Sequence, residues 1–363
     1  MVYAGGAFAT WERDCVYSVL GLASDIDILN LKPVYDSHAT TTIDIYEQLV
    51  RSQINASACL DLISFASNSQ RDPSKKCPSW VPYWPTYSSK SYDRMAWQSF
   101  TALSHIHRGL AETPEQARAL YRASGGCAYR CPSQTTQPGI LCCEGYRLDR
   151  IDLDADPSII DMTQRFEDQV AITGMDEQLQ LKSFKHLPPE NLWKTVVLDR
   201  DDTYLDKVCP IEHRDGFLQL YNDAIDSPKT LDAELLEWFV AHAEQLFGSL
   251  PQKSKIIEDL RATEGMSYRS LSNFENQLLH VWFNMRKSPV RLESGSWAMI
   301  PPNTKSGDQV YILAGCNFPV LLRETGQEGE FELIGECYVD GFMDGQGIPL
   351  DQGNMKWQTI SLV

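Results

Sequence analysis

The residues in this chain whose type and spacing could support chemistry are its cysteines and histidines. Cys127 and Cys131 stand at C-x3-C, a spacing that can open a zinc site, and Cys142 and Cys143 follow soon after. The second pair does not complete a site. "ILCCEGYRLDRID" is rich in β-favouring residues, and adjacent residues of a strand point to opposite faces. These four thiols are read as small buried hydrophobes, and no metal is expected. His105 and His107, two apart, would align on one strand face, yet no acidic or cysteine ligand lies at metal spacing beside them. A Cys–His nucleophile pair stays open, because such partners are distant in sequence and nothing selects one cysteine among ten. Phosphate-cradling loops of the GxGxxG or GxxxxGK[ST] type are absent, and "SGGC" reads as a cap and turn. The catalytic residues are therefore unknown from spacing, and no cofactor is evident.

The elements that would have to position any site can be read more firmly. "DCVYSVLGLASD" is a short apolar helical turn ended by Gly21. Ile43, Tyr46, Val50 and Ile54 repeat at helical spacing and predict a helix with one buried face. "CLDLISFA" is a strand or a short helix, which periodicity does not decide. Thr113, Pro114 and Gln116 form a capping box and a favourable helix start. From about residue 157 to 290 the pattern is mainly helical, with Leu231, Leu235, Trp238 and Leu246 on one stripe and a second capping box at Ser272 and Glu275. That second box leads a helix carrying Phe274, Leu278, Val281 and Met285 inward. The last seventy or so residues change to short β-favouring runs between turn-forming segments, a β-meander that forms a small barrel or a curled sheet.

Composition narrows the function classes. Asp and Glu number 49 against 32 Lys and Arg, a net −17 that would repel phosphate backbones and anionic lipid heads. A nucleic-acid or membrane-surface role is disfavoured, and no run of eighteen apolar residues predicts a membrane span. The opening "MVYAGGAFATWERD" lacks the basic and apolar regions of a signal peptide, so the cysteines are expected to be reduced thiols of the cytosol or nucleus, and the cytoplasm is the expected location.

"CPSWVPYWP" is the most constrained stretch in the chain. Pro78, Pro82 and Pro85 fix φ and push the residues before them toward extended conformations. The stretch is read as a stiff strap with Trp80 and Trp84 on one side and Tyr83 on the other. Two indoles on one side could form an exposed platform for a partner. Closure of a core is preferred, since paired exposed tryptophans invite aggregation.

"CPSWVPYW" resembles the "LPSWVPDW" signature of the fungal heterokaryon incompatibility (HET) domain. "RDCVYSVLGLASD" is similar to that family's "RDRVYALLGLA", at Arg13, Asp14, Tyr17 and Gly21 among others. "GDQVYILAGCNFPVLLRE" and "GECYVDGFMDG" resemble the C-terminal region of such proteins, at Gly307, Asp308, Arg323, Gly335, Glu336, Tyr338, Gly341 and Gly345. With Pro78, Trp80, Pro82 and Trp84, these are the motif positions, structural or for interaction. Tyr83 departs from the family, which usually has an acidic residue there. The family's "YxALSYxWG"-like opening segment is absent, so the resemblance covers the later part of the HET domain.

The resemblance implies an α+β protein in three parts. Residues 1–90 would be a partial α/β HET domain, TIR-related. Residues 91–290 would be mainly helical with a strand near 141–151, and residues 291–363 a β-rich module. It further implies fungal non-self recognition and cell-death signalling through other proteins or self-association. The alternative it implies is a TIR-like NAD glycohydrolase, with NAD as a cofactor by family analogy alone.

Overall fold

The computed structural model describes residues 11–20, 31–35, 40–66, 76–84, 121–132, 137–153, 185–200, 209–264, 270–348 and 357–363. Gly21, Pro85, His105, His107 and the Thr113–Gln116 box lie outside the described residues. The chain forms two compact units. One joins Met1–Ile151 with Asn284–Arg286 and Ile300–Val363, and the other holds Asp152–Phe283 with Lys287–Met299. This division differs from the three consecutive segments bounded at 90 and 290, because the first unit is built from both ends of the chain.

At the centre of the first unit is a closed five-stranded barrel. Its strands are β1 (Leu141–Arg150), β4 (Gln309–Leu313), β5 (Val320–Glu324), β6 (Glu330–Glu336) and β8 (Gln358–Leu362). Strands β2 (Ser288–Arg291) and β3 (Trp297–Ile300) precede β4, and the two-residue β7 (Tyr338–Val339) follows β6. Closing a sheet removes its edges, so no strand of the ring is left without a neighbour on either side. The strand at 141–150 is the ring's longest. Its first half pairs with β8, from Leu141↔Leu362 to Gly145↔Gln358, and its second half with β4, from Gly145↔Leu313 to Arg150↔Gln309. It therefore belongs to the barrel and not to the helical region where its sequence position put it. Gly145 sits where the two pairings meet. A methyl there would stand 2.8 Å from Ile360 Cγ1 and 2.9 Å from Leu313 Cδ2, too close for an ordinary contact.

The remaining joins are β4 with β5 and β5 with β6, both antiparallel, and β6 with β8, parallel. The β6–β8 seam is the shortest, made of Glu330↔Ser361 and Phe331↔Leu362. Val310, Ile312, Leu321, Leu333 and Leu362 are all buried on this framework.

Against the barrel lie helix α1 (Asp14–Leu20), helix α2 (Thr42–Ser57) and a 3-10 turn, Asp61–Phe65. Helix α2 opens on a capping box in which Thr41 and Asp44 satisfy each other's backbone amides. It buries Tyr46, Val50 and Ile54 as the spacing predicts, with Ile45 and Leu49 beside them, while Ile43 is only half-buried. "CLDLISFA" resolves as the 3-10 turn. Leu60 N donates to Gly315 O (2.7 Å), and the buried Asp61 accepts from Asn317 N and Nδ2 (2.9 and 2.7 Å). Gly315 has φ +86°, and a Cβ would meet Tyr129 N at 2.6 Å, so only glycine lets the two backbones approach. Among the described residues of 1–90 there are helices and no strand.

The second unit is helical, with a β2–β3 hairpin. Its longer helices are α4 (Glu212–Asp226), α5 (Ala233–Ala241), α7 (Lys253–Ala262) and α8 (Asn273–Leu279); α3 (Leu192–Thr195) and α6 (Ala243–Phe247) are short. The Ser272–Glu275 box caps α8 as predicted, and Phe274, Leu278 and Val281 are buried; Met285, also buried, lies beyond the helix in the Asn284–Arg286 segment of the first unit. The stripe Leu231, Leu235, Trp238 and Leu246 is also buried, but it does not lie on one helix. His242 breaks it between α5 and α6 with φ −114° and ψ 13°. Its Nδ1 lies 2.8 Å from Trp238 O, the carbonyl to which its own amide also donates. Ring contacts of Tyr221 with Phe247 (5.2 Å) and Phe217 with Phe274 (5.8 Å) fill the core.

Candidate functional site: the tryptophan strap and the barrel motifs

Four segments far apart in sequence meet at the strap. Helix α2 places Glu47 and Arg51 one turn apart, where they pair at 2.7 Å. Both Glu47 oxygens accept from Gly139 N (3.0 Å), and Arg51 donates to Gln137 O (3.0 Å) and Ile140 O (2.7 Å). The same guanidinium lies 4.8 Å from the Trp80 ring centroid. Trp80 is fully buried and donates Nε1–H to Gly139 O (3.0 Å), so its one polar atom is satisfied.

The strap is not uniformly extended. Val81 N donates to Pro78 O (3.1 Å), a turn that sends Trp80 and Trp84 to different surroundings. Trp80 meets Arg51 and Gly139, whereas half-buried Trp84 and buried Tyr83 both pack on Tyr46, at 4.8 and 6.2 Å. The shared indole side and opposed tyrosine expected from an extended chain are thus corrected by one turn. Burial of Trp80 and Pro82 makes the segment a closure of the core. Tyr83 still reaches an acid, donating to Glu12 Oε1 (2.7 Å), while Tyr46 donates to Glu12 O (2.5 Å). Burial pushes the Tyr46 phenol far up and raises the neighbouring Cys15 thiol, so both stay protonated.

Ser79 joins the strap to the barrel. Its amide donates to Val363 O (2.6 Å) and its hydroxyl accepts from Leu333 N (2.8 Å). Val363 N itself donates to Phe331 O (3.0 Å).

The other motif residues also have structural partners. Arg13 donates to Val34 O (2.8 Å); Asp14 accepts from Tyr35 OH (2.8 Å), and Tyr17 meets the Tyr35 ring at 5.6 Å. Asp308, 2% exposed, receives Arg323 Nε and Nη2 at 2.8 Å each and Lys305 N at 2.8 Å. This hydrogen-bonded pairing raises the Arg323 pKa further. Gly307 donates to Ile151 O (2.8 Å). Gly335 lies at the bulge between β5 and β6, Glu336 is buried at the end of β6, and buried Tyr338 meets Tyr121 edge-on at 6.1 Å. Gly341 lies in the turn after β7, and a Cβ on Gly345 would stand 3.0 Å from Gly125 Cα. The structure thus gathers the strap residues at one end of the barrel and the Asp308–Arg323 pair at the β4–β5 join, not in one cleft.

The cysteines all carry free thiols. Cys143 is buried in the barrel, which pushes its thiol far up, while Cys142 faces the other way, 3.8 Å from Ser361 Oγ. No group of three or more metal-ligating side chains occurs among the described residues. In the helical unit Cys209 Sγ lies 3.2 Å from His213 Nδ1, both buried. The C-x3-H spacing was the available signal for that pair, and sequence reasoning passed over it. It also missed Glu12, Glu47, Arg51 and Ser79, whose partners are set by the fold.

A family model described as the Het-6 beta-barrel domain matches residues 262–352. The chain is also 24% identical, over 361 residues, to "Heterokaryon incompatibility protein 6, OR allele" of Neurospora crassa. The alignment covers 93% of the chain and 49% of that relative, so the chain spans about half the relative's length. No solved structure matches it. The matched span 262–352 contains β4, β5 and β6, but the ring closes only with β1 and β8, which lie outside it. Among the described residues no helix is long and apolar enough to cross a membrane.

Proposed function

We propose that this chain is a fungal HET-family protein that serves non-self recognition and cell-death signalling from the cytoplasm, through contacts with other proteins or with itself. On this reading residues 1–90 are part of a HET domain related to TIR-like α/β domains. The observation that carries the reading is the use made of the motif side chains. Trp80, Asp308 and Arg323 are engaged in holding the strap and barrel together, so the motifs build a scaffold and not a reaction centre. A scaffold acts by what it binds.

The test is expression of the chain in Neurospora crassa hyphae, scored by growth arrest and uptake of a membrane-impermeant dye. The expected result is arrest and death on induction. Unchanged growth and viability would sink the proposal. In parallel, purified chain is incubated with NAD and nicotinamide is measured. Turnover would replace the scaffold reading with an NAD glycohydrolase one.

A further inference from the structure

The contact of Ser79 with the barrel falls at a particular rung. In a regular parallel ladder, a residue on one strand bonds to the two residues flanking its partner on the other. Here Phe331 pairs beside Leu362, and Val363 N donates to Phe331 O. Continuing that ladder one step would bring Leu333 N directly onto Val363 O. Instead Ser79 stands between them, its hydroxyl taking Leu333 N–H and its amide N–H donating to Val363 O. The seam so interrupted is the shortest in the ring. On its other side β6 is secured to β5 from Val320↔Glu336 to Glu324↔Phe331. The serine is held in turn by its neighbour Trp80, anchored on Gly139 O and under Arg51.

We propose that the strap is a latch on the barrel, with Ser79 wedged in the β6–β8 seam, and that its release opens the ring at that seam alone. The opened state leaves the β6 edge at Phe331 and Leu333 unpaired while β1, β4 and β5 keep their ladders. Local opening of this kind follows where few hydrogen bonds close a cooperative unit.

Hydrogen exchange read by mass spectrometry on the whole chain tests this. Ser79→Ala removes the acceptor of Leu333 N–H. Peptides spanning 330–336 and 358–363 should then exchange about tenfold faster, on the scale of one lost buried hydrogen bond, with 141–150 and 309–313 unchanged. Unchanged or slower exchange at 330–336 would mean that Leu333 and Val363 zip directly, which overturns the latch. Equal acceleration of all barrel peptides would also overturn it, since Ser79 would then only add global stability. If the alanine variant does not fold, the unsubstituted chain decides. In low urea the 330–336 amides should exchange through an opening nearly independent of denaturant, while 309–313 follow the global slope. One shared slope for both would overturn the proposal.

Discussion

Removing the charge partner of Asp308 is the sharpest test of how the barrel is held. The β4–β5 ladder runs from Gln309↔Leu322 to Tyr311↔Val320, so the next rung outward would place Asp308 opposite Arg323. The bidentate ion pair takes that place, and Gln309 Nε2 donating to Glu324 Oε1 (2.6 Å) adds to the same end. Asp308 is 2% exposed, whereas the Arg323 side chain keeps 25% of its surface in water. Arg323→Met deletes both guanidinium bonds to Asp308, together with the one to Asn303 O (2.9 Å), and leaves the buried carboxylate with the Lys305 amide as its remaining described donor. Breaking a fully buried pair costs about 3–5 kcal/mol, and the partial exposure of Arg323 brings the expected loss to about 2–3 kcal/mol. Asp308→Asn should cost about 1–3 kcal/mol, because one oxygen still accepts but the charge is gone. In the double variant the two losses should not add, and the cycle should return a coupling of at least ~1 kcal/mol. Urea unfolding followed by far-UV circular dichroism measures all four proteins. The coupling should persist in high salt, since a buried pair is poorly screened. A coupling below about 0.5 kcal/mol, or one erased by salt, would refute the reasoning by placing the pair in the class of exposed ion pairs.

Two further outcomes are expected. Trp80→Ala should destabilise the chain by about 3–5 kcal/mol for loss of a fully buried indole, while Trp80→Phe keeps most of the packing and should lose about 1–2 kcal/mol with the Gly139 bond; urea midpoints of the two variants check the order. Burial of His242 lowers its pKa to about 4 from an ordinary 6.5, so below pH 6.5 the unfolded chain binds a proton that the folded one refuses. Stability should therefore fall as the pH drops from about 6.5 toward 4, by on the order of 3 kcal/mol in all, with His280 adding in the same direction. His242→Gln should flatten the urea midpoint against pH in that window; an unchanged slope would remove His242 as its cause.

Local features were legible in the sequence because their physics is local. The Ser272–Glu275 box and the Tyr46, Val50, Ile54 face both involve residues within a turn or two of each other, and both appear as read. The family motifs were legible for a similar reason, since each is a short run. The break at His242 was not, because it depends on one ring reaching the carbonyl of Trp238 and not on the apolar spacing. The direction of Trp80 depended on a single turn at Pro78 that extended-chain geometry omits.

What the sequence determined by itself was the inventory: where helices begin, which runs favour strands, and which residues are apolar enough to be buried. Tertiary structure alone decided the partners. β1 finds β4 and β8 across more than 150 residues, because a strand's pattern says that it needs neighbours without saying which ones. Closing the ring chooses them, since only complete pairing leaves no backbone edge to water. Ser79, an unremarkable serine on paper, then occupies the one seam that the ring closes least.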